Sequence, residues 1–176
     1  NRQIKDIENL VNEFSDFARM PKPIFKKINI IDVINKSLEF IKMSSKNEII
    51  FNYNKSKFII DGDEDQLNRV LINIIKNSEE AFIDKLAENA DFKGKIDIEI
   101  ISNNDYILIK IMDNGTGISN AKKAMTPYFT TKKKGTGLGL PIVSKIINEH
   151  SGDFLIKNKK IGGGIEINIS FPNKYE

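Results

Sequence analysis

The chain carries 176 residues, 27 basic against 24 acidic, and 40% hydrophobic residues, which suits one ordinary domain with a short appendage and enough apolar content for a core. A formal charge of +3 spread along the sequence argues against a dedicated polyanion binder, so nucleic acid is not an expected partner. The absence of cysteine and the presence of a single histidine, His150, exclude a disulfide framework, a thiolate metal site and a multi-histidine centre, and the apolar runs fall short of the roughly 20 residues that span a bilayer.

Residues 1 to about 19 place Ile4, Ile7, Leu10, Val11, Phe14, Phe17 and Ala18 at three- and four-residue spacing, the pattern of an amphipathic helix. The stripe begins without a capping signal, so this helix is expected to be one arm of a longer hairpin or bundle. Pro21 and Pro23 then stop it and stiffen a short extended linker. A domain boundary is expected near residue 22.

A second helix is expected from Ile30 to Met43, followed by strands beginning at Glu48 and Phe58 around a lysine-containing turn. Asp61-Gly62-Asp63 supplies a turn and a helix N-cap candidate. The longest helix follows, with Leu67, Val70, Leu71, Ile74, Ile75, Ser78, Ala81 and Phe82 as its buried stripe and Asn73, Asn77 and Glu80 aligned on another face. Two strand-like runs, KIDIEIIS and YILIKIMD, flank a turn at Asn103-Asn104-Asp105. The second delivers Asp113 to its end. DFLIKN and GIEINISF close the chain as two further strands around Gly162-Gly163-Gly164. Helices and strands intermix without a strict βαβ repeat, so the expected fold is an α/β two-layer sandwich on a mixed, largely antiparallel sheet.

The stretch from Met112 to Leu140 holds two glycine clusters, DNGTGI and GTGLGL, joined by a segment with Pro127, Phe129, two threonines and three lysines. Glycine lets another molecule approach the backbone closely, so paired clusters around a basic segment point to amide N–H groups facing an anion. The second cluster runs into a helical pattern through Ile142, Val143, Ile146 and Ile147, which sets its glycines at a helix N-terminus, where unpaired donors and partial positive charge favour phosphate. A phosphate-bearing ligand is the expected occupant.

Four features therefore stand in order: LINIIKNSEEA around Asn73 and Asn77, DNGTGI after a strand, TPYFTTK, and GTGLGL at a helix start. They resemble the N box, first G box, F box and second G box of the catalytic ATP-binding domain of sensor histidine kinases, in the GHKL superfamily shared with type II topoisomerases. The GGG at Gly162 to Gly164 is similar to the family's third glycine motif. The resemblance covers residues 23–176, and EFSDFARMPKP before it resembles the second helix of the dimerisation and phosphoacceptor hairpin of nitrogen-regulation sensors, especially the NtrY type. Residues 1–22 would then be the end of that hairpin with its linker, and residues 23–176 the catalytic domain, a Bergerat-type sandwich with helices on one face.

The resemblance implies ATP and Mg²⁺ as ligands and a site made of Asn73, Asn77, Asp113, Gly115, Gly117, Ile118, Phe129, Thr130, Thr131, Lys132, Gly135, Thr136, Gly137, Leu138, Gly139 and Leu140. Asp113 would accept a hydrogen bond from the adenine exocyclic amine, a contact that a buried carboxylate makes with charge-assisted strength, and Ile118 would wall the base. Asn77 would be the metal ligand, since Mg²⁺ keeps several waters and needs few protein oxygens. Asn73, Asn77 and one lysine of the basic segment, Lys132, are the residues expected to act in catalysis. The hydrolysing relatives carry a glutamate at the position of Asn73 to activate water, and an amide cannot act as that base. Glu80 and Ile165 depart from a lysine and a threonine common in the family.

The implied activity is transfer of the ATP γ-phosphoryl group to a histidine on the kinase hairpin, for relay to a response-regulator receiver aspartate, by a cytoplasmic domain of an inner-membrane sensor. His150 falls at the end of the helix after the second G box, where contact with the helix dipole is the expected role, and the acceptor histidine is expected upstream of residue 1. An ATP-hydrolysing conformational machine of the same superfamily and a non-catalytic nucleotide-sensing or scaffold module are the alternatives. A segment covering residues 119–136 is expected to be mobile without nucleotide.

Overall fold

The computed structural model describes Ile4, Glu8, Val11, Phe14, Ser15, and residues 18–43, 45–130 and 135–174. The described positions before residue 19 are helical, as the leading apolar stripe requires; Ile7, Leu10 and Phe17 of that stripe lie outside the described residues. Ile4, Val11 and Phe14 are exposed, and the Phe14 ring stacks on Tyr128 with centroids 6.3 Å apart.

Past Pro21 and Pro23 the chain is extended and enters β1 (Lys26–Asn29), then α1 (Ile30–Lys42), capped by the Asn29 side chain on the Ile31 N–H. Next come β2 (Glu48–Tyr53), β3 (Ile59–Gly62) and α2 (Glu64–Glu88), whose N-cap is Asp63 as expected. β4 (Lys95–Ser102) and β5 (Tyr106–Asp113) form a hairpin, and after the glycine-rich region α3 (Ala121–Ala124) and α4 (Gly139–Glu149) lead to β6 (Asp153–Asn158) and β7 (Ile165–Pro172). The turn between β4 and β5 is held by Asn103, whose Oδ1 accepts the N–H groups of Asp105 and Tyr106 at 2.9 Å each. Such a local side-chain bond is why asparagine favours turns.

Two details differ from the sequence reading. The strands flanking the lysine-containing turn do not pair with each other: β2 lies parallel to β4 at the edge of a five-stranded sheet of order β2-β4-β5-β7-β6, whereas β3 pairs antiparallel with β1 in a separate two-stranded sheet. β1 itself, four residues of Lys-Lys-Ile-Asn, has too little alternation to announce a strand and forms because β3 offers it a partner. α3 is likewise a single short turn capped by Asn120 on the Lys123 N–H. It carries no apolar stripe.

The main sheet is antiparallel apart from the β2–β4 pair, and its register explains the core. Ile98, Ile111 and Ile167 align across β4, β5 and β7, as do Ile100, Ile109 and Ile169, all buried on one face. Against them pack the buried stripes of α1, α2 and α4, including Ile34, Leu38, Val70, Ile74, Val143 and Ile146. Each fully buried aliphatic side chain contributes about 2 kcal/mol, so this face dominates the stability of the layer pair. The same register sets Asp113 opposite Ile96, and therefore on the buried face beneath α2. No helix among the described residues is long and apolar enough to cross a membrane.

Candidate functional site

Asp113 ends β5 with only 3% of its surface exposed. Its Oδ1 accepts the N–H groups of Gly115 at 2.9 Å and Ile165 at 3.1 Å, and its Oδ2 accepts the Ser78 hydroxyl at 2.7 Å. A carboxylate offers about four acceptor positions, so these three donors orient it and leave acceptor capacity on Oδ2. The carboxylate is thus both the turn-capping group of DNG and an oriented acceptor. Gly164, at φ +80°, passes so close to the Asp113 carbonyl that any Cβ there would collide with it, which explains glycine at this point of the third cluster.

Two side chains that sequence reasoning did not single out organise this end of the site. The helical spacing of Ser78 marks it only as part of the buried stripe of α2; its hydroxyl donates to Asp113, 35 residues away. Asn158, at the end of β6, holds the first glycine loop by a reciprocal amide pair: Ile118 N–H donates to its Oδ1 and its Nδ2 donates to the Ile118 carbonyl, both at 2.8 Å. The only signal in the sequence for Asn158 is an amide at a strand end. Asn114 fastens the same loop to β4, accepting from the Lys95 N–H and donating to the Lys93 carbonyl.

The second G box meets the N box where α4 begins. A Cβ on Gly139 would stand 3.6 Å from Asn77 Nδ2 and 3.7 Å from Asn73 Oδ1, so both asparagines of α2 lie beside the first residue of α4. That helix has 11 residues and no side-chain cap at its N-terminus. The N–H groups of Gly139 and Leu140, which open a helix whose third residue is Pro141, therefore lie at the helix end that Asn73 and Asn77 flank. Asn73 Nδ2 donates back to the Arg69 carbonyl at 3.0 Å, which aligns its amide along the helix.

The F box and the second G box are built onto one another through their backbones. The Tyr128 N–H donates to the Gly137 carbonyl at 3.1 Å, and Gly137, at φ +70°, lies so close that a Cβ would be 2.6 Å from the Tyr128 carbonyl carbon and 2.7 Å from Phe129 O. Only glycine fits there. Phe129 is half-buried and Thr130 exposed, while Gly135, Thr136 and Leu140 are half-buried. Leu138 is fully buried among the core residues, so only its backbone is available to a ligand. Thr131 and Lys132, with Lys133 and Lys134, lie outside the described residues, as does that part of the segment expected to be mobile.

His150 is remote from these residues in its contacts. It caps α4, is 5% exposed, and accepts the Asp63 N–H on Nε2 at 2.9 Å while Nδ1 meets the Ile146 carbonyl at 2.8 Å. An amide N–H can only donate, so Nε2 must be unprotonated and Nδ1 carries the hydrogen. Burial pushes its pKa below the ordinary histidine value, against the pull of the Ile146 carbonyl, Asp63 and Glu149. It therefore contacts the helix end as a neutral imidazole rather than as a cation on the dipole. Among the described residues no cluster of three or more His, Cys, Asp and Glu is arranged to hold a metal ion.

The profile of the family described as histidine kinase-, DNA gyrase B-, and HSP90-like ATPase matches residues 62–175. The chain is 38% identical over 177 residues to an NtrY-like sensor histidine kinase of Rickettsia prowazekii, covering 98% of this chain and 28% of that protein. It is 35% identical over 176 residues to the nitrogen regulation protein NtrY of Azorhizobium caulinodans, covering 96% of this chain and 22% of the relative; it thus spans about a quarter of these relatives' length. Its fold is similar to that of the catalytic domain of histidine kinase ThkA in a nucleotide-free form, with a TM-score of 0.71 and 25% identity over 85% of this chain and 96% of the other. The mycobacterial sensor histidine kinase MprB shares the fold at the same TM-score and 21% identity, over 87% of this chain and all of that one. With an oriented buried aspartate, two asparagines at an uncapped helix start and a family match over residues 62–175, the chain belongs to the histidine kinase-, DNA gyrase B-, and HSP90-like ATPase family.

Proposed function

We propose that the chain is the ATP-binding catalytic domain, residues 23–176, of a two-component sensor histidine kinase, with residues 1–22 as the end of its hairpin and linker. The observation that carries this reading is the convergence of Asn73 and Asn77 on the open N-terminus of α4 at Gly139, a place that suits polyphosphate and a cation together. At the other end, Asp113 would take the adenine amine on the acceptor capacity left on Oδ2, with the backbone of Gly115 and Gly117 close to the base and Ile118, steadied by Asn158, along its edge. The amides of Gly135 to Leu140 would hold the phosphates, and Phe129, Thr130, Thr131 and Lys132 would complete the cover.

The amide oxygens of Asn73 and Asn77 both lie beside Gly139, and neutral oxygens of this kind suit a hard cation that keeps most of its water. Asn77 would hold it, and bound Mg²⁺ would supply charge neutralisation on the phosphate oxygens. Asn73 has no carboxylate with which to deprotonate water, so the site retains ATP for a histidine. His150 cannot be that histidine: it is buried, and both ring nitrogens are engaged. The acceptor imidazole comes from the hairpin and attacks the γ-phosphorus in line, forming an N–P bond as ADP leaves. The phosphoryl group then passes to a receiver-domain aspartate. The domain would work on the cytoplasmic side of an inner-membrane sensor.

Calorimetry and phosphate release on the purified chain test this reading. ATP binding with negligible phosphate release is expected. No ATP binding, or steady release that Asn77→Ala abolishes, would overturn it, the latter in favour of an ATP-hydrolysing machine.

A further inference from the structure

Three polar side chains that the proposed chemistry does not use converge on the segment leading into the domain. Asp63 caps α2 with Oδ1, which accepts the Gln66 N–H at 3.1 Å, and turns Oδ2 to the Ile24 N–H at 2.8 Å, 39 residues away in sequence. Gln66, 8% exposed, donates Nε2 to the Pro21 carbonyl at 2.9 Å. His150, already tied to the Asp63 N–H, receives the Phe25 ring edge-on, with centroids 5.1 Å apart. Burial alone would raise the Asp63 carboxyl, but the amides of Ile24, Gln66 and Asp65 outweigh it and hold it below its ordinary value.

The segment so held is short and stiff. Pro21 and Pro23 fix φ at two of its six positions, so two hydrogen bonds and one ring contact suffice to set its path. Ile24 and Phe25 remain 71% and 49% exposed. Apart from half-buried Met20, which packs against the core, the segment is held by polar and ring contacts, and such a contact releases and re-forms readily. The two helices that carry the contact also carry the nucleotide site: Asp63 and Gln66 open α2, on which Asn73 and Asn77 follow, and His150 closes α4, which begins at Gly139.

We propose that Asp63, Gln66 and His150 form a seat for the chain's own linker, residues 20–25, and so set the direction in which the helical segment ending at Ala18 leaves the catalytic domain. They are positioning residues for transfer to the hairpin, an inference that rests on the kinase reading. The polar half of the seat is specific to a backbone in this path: each of its two donor–acceptor pairs reads a main-chain group of the linker, and neither reads a side chain.

Asp63→Asn is the discriminating variant. Asparagine caps helices as well as aspartate, but it has one oxygen, and its amide hydrogens would face the Ile24 N–H. In the 176-residue chain, hydrogen exchange of the Ile24 amide should become at least about tenfold faster while the Leu71 and Ile109 amides are unchanged. In a kinase chain carrying the full hairpin, phosphorylation of its own hairpin should fall about tenfold, since misplacement of reacting groups by an ångström costs that much or more. ATP affinity and transfer to a hairpin supplied as a separate polypeptide should stay at the wild-type level. Gln66→Leu, which frees Pro21 and keeps the cap, should act in the same direction. Unaltered Ile24 exchange, or unaltered transfer to the chain's own hairpin, would overturn the proposal. Failure of the wild type to phosphorylate any histidine would instead overturn the kinase reading, leaving Ile24 exchange to test the seat itself.

Discussion

Replacing Asp113 by asparagine separates the structural from the recognition role of this carboxylate. In the variant, one oxygen can still accept from the Gly115 and Ile165 N–H groups, and the Ser78 hydroxyl, now facing an amide NH₂, can rotate to accept instead of donate. The fold is retained at a cost of about 1–2 kcal/mol, because two hydrogen bonds to an ionised acceptor become bonds to a neutral one. Nucleotide recognition has no such escape. The adenine amine would meet a donor in place of an acceptor, losing a charge-assisted bond worth about 1.5–3 kcal/mol and leaving a buried donor unpaired at about 1–3 kcal/mol. Together these weaken ATP binding by at least about 60-fold. Calorimetry measures the affinity, and urea unfolding confirms that the variant is folded. A folded variant that binds ATP as the wild type does would refute the assignment of Asp113 to the base.

Asn77→Ala is expected to remove the magnesium dependence of ATP affinity, because its amide oxygen is the proposed protein ligand; a magnesium titration identical to the wild type would contradict that role. Gly137→Ala should lose at least about 1 kcal/mol in urea unfolding from the left-handed φ alone, and more from the contact of its Cβ with the Tyr128 and Phe129 backbone; equal stability would show that the F box does not pack on the second G box as described. Stability should also fall as pH drops below 6.5, the ordinary histidine value, through the lower folded-state value of His150, because the unfolded chain takes up that proton first. Comparing His150→Gln with the wild type between pH 7 and pH 5 checks this, and an identical slope in both would refute it.

The parts legible in the sequence are those fixed by local periodicity and by box chemistry. The stripes of α1, α2 and α4, the alternating strands β4, β5 and β7, the Asp63 cap and the glycine positions of the site follow from 3.6- and 2-residue patterns and from turn residues. The rest depends on residues far apart in the chain. β1 has only four residues and pairs with β3, and β2 lies beside β4 rather than its sequence neighbour, where Ile49 and Phe51 pack against the core. Ser78 reads as a core position until β5 places Asp113 beneath it, and Asn158 reads as a strand end until Ile118, 40 residues distant, docks on it. The helical spacing sets His150 at a helix end, yet its partner Asp63 lies 87 residues earlier, a pairing no local pattern encodes.

The central claim, that this site delivers the γ-phosphoryl group of ATP to a histidine outside residues 1–176, is tested most directly by labelling. The chain is incubated with γ-labelled ATP and Mg²⁺, alone and with a separate polypeptide carrying the complete helical hairpin, and acid-labile phosphohistidine is mapped. The account predicts no label on the chain alone, label on the hairpin histidine when both are present, and loss of that label with Asp113→Asn. Phosphohistidine at His150, or label released to water at the same rate with and without the hairpin, would contradict it.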